Sequence, residues 1–251
     1  MSLFIIGDLH LSFSAKSEVT ENKPMSIFGN NWDGHAEKIK QDWLEKVKDE
    51  DTVIIAGDFS WAMYLEDAFA DFSYLNDLPG KKILLKGNHD YWWTTITSMK
   101  KFLEDNNFNN IDFLHNNSFE VENKIIVGTR GWALLDTENS AKMINREALR
   151  LELSIKNALD KYGKDKEIIC IMHYPPISRL KMKNEYIYDS KFLDIMKQYN
   201  VKKCFYGHLH GKSHNDAIEG QIDGIEFKLI SSDFLNFKLH KCSVTIDVKQ
   251  K

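Results

Sequence analysis

The sequence predicts an α/β domain. Three observations carry that prediction: short β-branched or apolar runs recur along the chain, amphipathic segments of helical length lie between several of them, and no linker-like stretch divides them. Runs at 3–6, 52–56, 82–86, 124–128, 167–172 and 201–206 read as strands. Segments 35–47, 63–78, 93–106, 141–162 and 190–199 read as helices. The tail changes character. Segments 218–230 and 241–248 alternate around the Asp223-Gly224 turn signal, which predicts antiparallel strands and a second sheet there.

Composition agrees with one folded unit. The 251 residues are 43% hydrophobic, enough to bury a substantial core and too much for a disordered chain. The prolines (Pro24, Pro79, Pro175, Pro176) do not mark a boundary, so the reading is a single domain over 1–251 without repeats. Segment 12–34 is long for a connection and carries Met25, Phe28 and Trp32 among polar residues; it reads as an active-site flap or as a packed loop that covers core.

The formal charge of −4 offers nucleic acid or an anionic membrane no overall attraction, although a local basic groove stays open. Only four of the 33 basic residues are arginines (Arg130, Arg146, Arg150, Arg179), so planar bidentate phosphate clamps must be few. No apolar run is long enough to span a bilayer, and no basic stretch with a long apolar core opens the chain; the expectation is a soluble cytoplasmic protein. Cys170, Cys204 and Cys242 are odd in number and far apart, which argues against a disulfide framework or a cysteine zinc site and suits a reducing compartment.

Five polar pieces each follow an apolar run: Gly7-Asp8-Leu9-His10, Gly57-Asp58, Gly87-Asn88-His89-Asp90, Met172-His173 and Gly207-His208-Leu209-His210. In open α/β sheets the carboxyl ends of the strands form the ligand crevice, so five strand ends would bring these side chains to one place. They hold five of the nine histidines and four acids or amides, the nitrogen and oxygen donors that Mn, Fe, Zn or Co accept. Singly, each is also what a turn or a structural histidine looks like. Together and in this order they point to a metal centre.

The order DxH, GD, GNHD, lone His, GHxH resembles the calcineurin-like metallophosphoesterase superfamily, over residues 8 to 210. The stretches Gly57-Asp58-Phe59-Ser60-Trp61 and Gly87-Asn88-His89-Asp90-Tyr91-Trp92-Trp93 are similar to predicted bacterial phosphohydrolases. The resemblance implies a two-sheet α/β/β/α sandwich. It implies that Asp8, His10 and His210 bind one metal, that Asn88, His173 and His208 bind a second, and that Asp58 bridges the two. Many members carry a second acid shortly after the GD pair; here that neighbourhood reads Phe59-Ser60-Trp61.

Two divalent or mixed-valence ions would be partly neutralised by Asp8 and Asp58, leaving a surplus of about two positive charges that suits a phosphate ester. Metal coordination lowers the pKa of water, so a metal-bound hydroxide is the expected nucleophile, and ions about 3.5–4 Å apart can hold both the attacking and a phosphoryl oxygen. His89 fills no ligand place in the pattern, and it is expected to be the general acid for the leaving alkoxide, or else an electrostatic phosphate donor. Asp90 is expected to accept from the other ring nitrogen of His89 and keep it oriented.

Other candidates divide between site and surface. Arg130, in Gly128-Thr129-Arg130-Gly131-Trp132, could reach a substrate phosphate or be structural, and Arg179 after His173-Tyr174-Pro175-Pro176 is similar. Arg146 and Arg150 share a helical face near Glu147 and Glu152 and read as surface ion pairs. His214 reads as solvated. Tyr91-Trp92-Trp93 could stack a base or sugar but suits core better. The leading expectation is therefore a metal-dependent phosphomonoesterase or phosphodiesterase acting on a small or medium-sized phosphorylated substrate. A nuclease, a non-catalytic interaction module of the same fold and a mononuclear hydrolase are the alternatives.

Overall fold

A computed structural model describes residues 1–13, 23, 25–135, 137–182 and 185–242. In chain order it contains β1 (Leu3–Ile6), α1 (His35–Lys46), β2 (Thr52–Ile55), α2 (Phe69–Asn76), β3 (Lys81–Leu85), α3 (Ile96–Asp105), β4 (Ile111–Leu114), β5 (Phe119–Val121), β6 (Lys124–Thr129) and α4 (Glu138–Tyr162). There follow β7 (Glu167–Met172), β8 (Ser178–Met182), β9 (Glu185–Asp189), α5 (Lys191–Gln198), β10 (Lys203–Tyr206), β11 (Gly220–Ile222), β12 (Ile225–Leu229) and β13 (His240–Lys241).

The strands form a five-stranded sheet in the order β13-β1-β2-β3-β4, a six-stranded sheet in the order β11-β12-β10-β7-β6-β5, and the separate β8-β9 hairpin. β1 to β4 run parallel, as do β6, β7, β10 and β12, because a helix or a long connection returns the chain between them. Each central strand is apolar on both faces and sends alternate residues to different layers. Leu3 and Ile5 of β1 lie between the sheets with Ile54, Ile83, Ile126, Ile169, Ile171 and Phe205. Phe4 and Ile6 point instead to the outer layer with Trp43, Phe72 and Met99 from α1, α2 and α3. Cys170, Met172 and Cys204 face α4 and α5, where Leu151, Ile155 and Phe192 cover them. The result is the four-layer α/β/β/α sandwich expected, and each fully buried aliphatic side chain contributes roughly 1.5–3 kcal/mol by leaving water.

The tail corrects one expectation. Segment 218–230 does form an antiparallel hairpin, β11 with β12, about the Asp223-Gly224 turn, but it extends a sheet already built from β6, β7 and β10. Its partner segment splits away: His240–Lys241 pairs with β1 at the edge of the other sheet, and residues 243–248 lie outside the described residues. Helix starts also differ where a cap intervenes. The third helix begins after Thr95, whose side chain accepts the Ser98 N–H at 3.2 Å, and not at Trp93. Segment 63–78 begins with a 3-10 turn at Glu66–Ala68 before α2. Residues 14–22 and 24 of the expected flap lie outside the described residues; its remainder includes Met25 and Trp32, both buried in the outer core. No helix among the described residues is long and apolar enough to cross a membrane.

Candidate metal centre

The five polar pieces meet at one end of the sandwich, where backbone bonds stitch the sheets together. Gly7 N–H donates to the Ile230 carbonyl at 2.8 Å, Asp8 N–H to Gly57 at 2.9 Å, His10 N–H to Asp58 at 2.9 Å and Gly207 N–H to His173 at 3.1 Å. The chain turns sharply as it leaves each strand: Asp8, His10, Asp58 and His208 have φ of 60°, 47°, 50° and 75°. Non-glycine residues in this left-handed region cost energy and cluster where a site over-determines them. Two glycines make room. A Cβ on Gly87 would lie 2.1 Å from Oδ1 of Asp58, and one on Gly207 would lie 2.3 Å from Oδ2 of Asp8.

All seven expected ligands are gathered here. Nε2 of His10 faces Nε2 of His210 at 3.3 Å, and His210 Nε2 is also 3.3 Å from Oδ1 of Asp8. On the other side, His173 Nε2 lies 2.6 Å from Oδ1 of Asn88. Asp58 stands between the two groups, with Oδ2 3.7 Å from His10 Nε2 and Oδ1 3.5 Å from His173 Nε2. Asp8 reaches both as well, its Oδ1 being 3.8 Å from His173 Nδ1. The His208 ring packs on His173 and Tyr174 with centroids 5.1 Å and 4.2 Å away, and the His208 backbone N–H donates to the Asp8 carboxylate at 3.1 Å.

Donor orientation is set from outside the cluster. The Ala56 carbonyl accepts from Nδ1–H of His173 at 3.1 Å, which leaves the lone pair on Nε2. Asp233 accepts from Nδ1–H of His210 at 2.8 Å and from Gly211 N–H at 3.0 Å. Asp233 was missed in the sequence. It follows the 218–230 run, as the other pieces follow theirs, but its neighbours are Ser231 and Ser232 and no glycine marks the turn. His214 is not simply solvated: its Nε2 is 3.2 Å from Oδ2 of Asp233. Two tryptophans wall the site, Trp61 stacked on His10 at 4.9 Å and Trp32 edge-on to His10 and His210 at 5.9 Å and 5.6 Å.

Asp90 requires a correction. Its carboxylate is fully buried and accepts N–H bonds from Gly87 at 2.7 Å, Asp58 at 3.0 Å, Phe59 at 2.9 Å and Ser60 at 3.3 Å, and from Trp92 Nε1 at 3.0 Å. Both oxygens are thus taken by the loops after β2 and β3. The ring of His89 does not share them; its buried Nδ1 has no hydrogen-bond partner. Asp90 ties two loops together and does not orient His89. His89 itself borders the site, its ring 5.8 Å from His10 and 4.4 Å from Trp61, and its backbone N–H donates to Oδ1 of Asp58 at 2.8 Å.

The electrostatics are those of a site built for cations. Burial, and then the nearby Asp8, push the Asp58 carboxyl up to about 8. Burial would also raise Asp8, but His210, with His173 and His10, outweighs it and holds Asp8 below the usual carboxylate range. Burial opposes the charge on His210, yet Asp8 and Asp233 raise that imidazole to about 10. Burial, and then His173, lower His208 to about 4. Two buried carboxylates and converging imidazole nitrogens repel one another or must share protons unless positive charge lies among them. Asp8, His10 and His210, and likewise Asp8, Asp58 and His173, bring one donor atom each within 4.8 Å of the others. That donor set fits divalent cations of the Mn, Fe, Zn or Co type.

Residues 1–212 match the calcineurin-like phosphoesterase family. The chain belongs to this family. Calcineurin-like phosphoesterases depend on two metal ions, which agrees with two donor groups that meet at Asp8. Among solved structures the chain is similar in fold to TT1561 of Thermus thermophilus, at 13% identity and a TM-score of 0.54, over 96% of this chain and 97% of that one. It is also similar to GAP50, the anchor in the inner membrane complex of Plasmodium, at 15% identity and a TM-score of 0.50, over 92% and 71% of the two chains. No curated protein matches.

Arg130 sits beside the centre. Its carbonyl accepts N–H bonds from His173 at 3.2 Å and Tyr174 at 2.9 Å, and its guanidinium lies 4.6 Å over the Trp132 ring. Trp92 and Trp93 are buried core, whereas Tyr91 is exposed. Arg179 lies in β8.

Proposed function

We propose that this calcineurin-like phosphoesterase hydrolyses a phosphomonoester or phosphodiester of small or medium size. In this reading Asp8, His10, Asp58, Asn88, His173, His208 and His210 hold two cations, and His89 is the general acid. The observation that supports it best is the position of Asp58, whose two oxygens diverge toward His10 on one side and His173 on the other. When bound, such cations supply the Lewis acidity that activates water and offsets charge at phosphorus.

The chain's own groups do the rest. Ala56 and Asp233 fix His173 and His210 so that each offers Nε2 inward, which avoids reorganisation during reaction. Asp90 holds the loops carrying Asp58 and Asn88 in register. Trp32 and Trp61 exclude water from the face around His10. His89 is half-buried with Nδ1 turned inside, so Nε2 is the atom that faces a substrate. Burial, then His173, lower its pKa. An anionic ester arriving beside it raises that pKa, and the imidazolium then gives its Nε2 proton to the departing oxygen.

The test is turnover of p-nitrophenyl phosphate and bis(p-nitrophenyl) phosphate by Mn-loaded protein, lost on chelation. Absence of turnover of both esters with Mn, Fe, Zn and Co would leave the protein a non-catalytic metal-binding module.

A further inference from the structure

The aromatic run Tyr91-Trp92-Trp93 divides in the structure. Trp92 and Trp93 pack into the outer core against Phe113, but Tyr91 leaves 53% of its surface to solvent. It does so beside the centre, where its ring stands 6.1 Å from that of His89 at an interplanar angle of 76°. One exposed ring on a protein surface means little. This one has a partner.

The Tyr174 ring, half-buried, covers His208 at 4.2 Å and borders the half-buried Trp132 at 5.9 Å. Burial raises the Tyr174 phenol pKa, and the ionisable groups near enough to act on that phenol are Arg130, Asp58 and Tyr91. The ring therefore stands at the edge of the centre, within reach of both Asp58 and Tyr91. Neither tyrosine hydroxyl has a hydrogen-bond partner among the described residues, so no internal contact accounts for where the two phenols lie. Tyrosine offers a large, stiff surface at small entropic cost, and rings attract other rings beyond the area they bury. A general acid must lie within hydrogen-bond reach of the oxygen it protonates, so a leaving group served by His89 is carried to the exposed ring two residues along.

We propose that Tyr91 and Tyr174 form an aromatic platform for the alcohol portion of the ester, and that the substrate is a phosphate ester whose leaving group carries a planar aromatic ring. This deepens the hydrolase reading and rests on it for the place of the leaving group at His89. Stacking on the two tyrosines is independent of turnover.

Binding tests the platform first. Calorimetry on the Mn-loaded full-length protein compares benzylphosphonate with cyclohexylmethylphosphonate, two phosphonates of similar size that have no ester bond to hydrolyse. Benzylphosphonate should bind about tenfold tighter, the order expected for one ring stacked on aromatic side chains. Tyr91→Leu and Tyr174→Leu should each abolish most of that ratio, and Tyr91→Phe should keep it, because the ring and not the hydroxyl makes the contact. Near-ultraviolet circular dichroism checks folding; Tyr91 is exposed, so its variants report even if Tyr174→Leu, which uncovers His208, misfolds. A wild-type ratio under about threefold, or a ratio that survives in Tyr91→Leu, overturns the proposal.

Turnover then separates the two sources of such a ring. Benzyl phosphate is compared with cyclohexylmethyl phosphate, and a nucleoside 5′-monophosphate with ribose 5-phosphate. Preference for the aromatic member in the first pair alone assigns an aryl substrate, and preference in the second assigns a nucleotide; turnover with preference in neither pair overturns the platform and keeps the hydrolase. Ring-dependent binding that Tyr91→Leu removes, without turnover of any ester, refutes the hydrolase reading and keeps the platform.

Discussion

The carboxylate of Asp233 accepts a 2.8 Å hydrogen bond from Nδ1–H of His210, and the opposite nitrogen of the ring therefore points at Asp8, 3.3 Å away. This carboxylate–histidine pair spans 23 residues of sequence and joins the loop after β12 to the loop after β10. Its consequence is that the direction and basicity of one proposed ligand, His210, depend on a residue outside the proposed ligand set.

Asp233→Asn should therefore weaken Mn or Zn binding by about 10–100-fold with the fold retained. Competition against a chromogenic chelator measures it. An unchanged affinity would mean that packing by Trp32 alone sets the ring.

Asp90→Ala removes the acceptor for five N–H donors. With several of these left buried and unpaired, unfolding of the metal-free protein should become easier by at least about 3 kcal/mol. Urea titration followed by fluorescence reads this directly. A loss of turnover with unchanged stability would restore Asp90 to a role at the His89 ring.

Metal loading should release protons. In the cation-free protein Asp58, raised to about 8, and His210, raised to about 10, both hold a proton at pH 7, and a cation needs the carboxylate and the free nitrogen. Calorimetry in buffers of different ionisation enthalpy should give about two protons per chain at pH 7, falling to about one once pH passes well above 8. Apparent affinity should rise over the same interval. Proton-neutral binding at pH 7 would show that neither group is protonated before loading.

His89→Asn should slow an alkyl phosphate about 100-fold or more, and p-nitrophenyl phosphate far less, because a good leaving group needs little protonation. Equal losses on both substrates would make His89 an electrostatic phosphate donor.

Much of the candidate site is legible in the sequence. Asp8, Asp58, Asn88 and His173 were legible because each directly follows a buried run, a purely local pattern. β4, β5 and the β8-β9 hairpin escaped, since strands such as Phe119–Val121 are too short for their alternation to stand out. The pairing of Asp90 was misread because adjacency to His89 suggested contact, whereas the turn after β3 sends consecutive side chains in different directions. The burial of Glu147 beneath Arg146 and Arg150, each 3.0 Å from it, was invisible for another reason. It depends on how α4 crosses the second sheet, and sequence spacing carries no record of that.

Metal stoichiometry, with sites located by anomalous scattering, decides whether the centre is dinuclear. Two cations per chain are expected, one against Asp8, His10 and His210 and one against Asn88, His173 and His208, with Asp58 touching both. A single ion, or two ions that do not share Asp58, would contradict this.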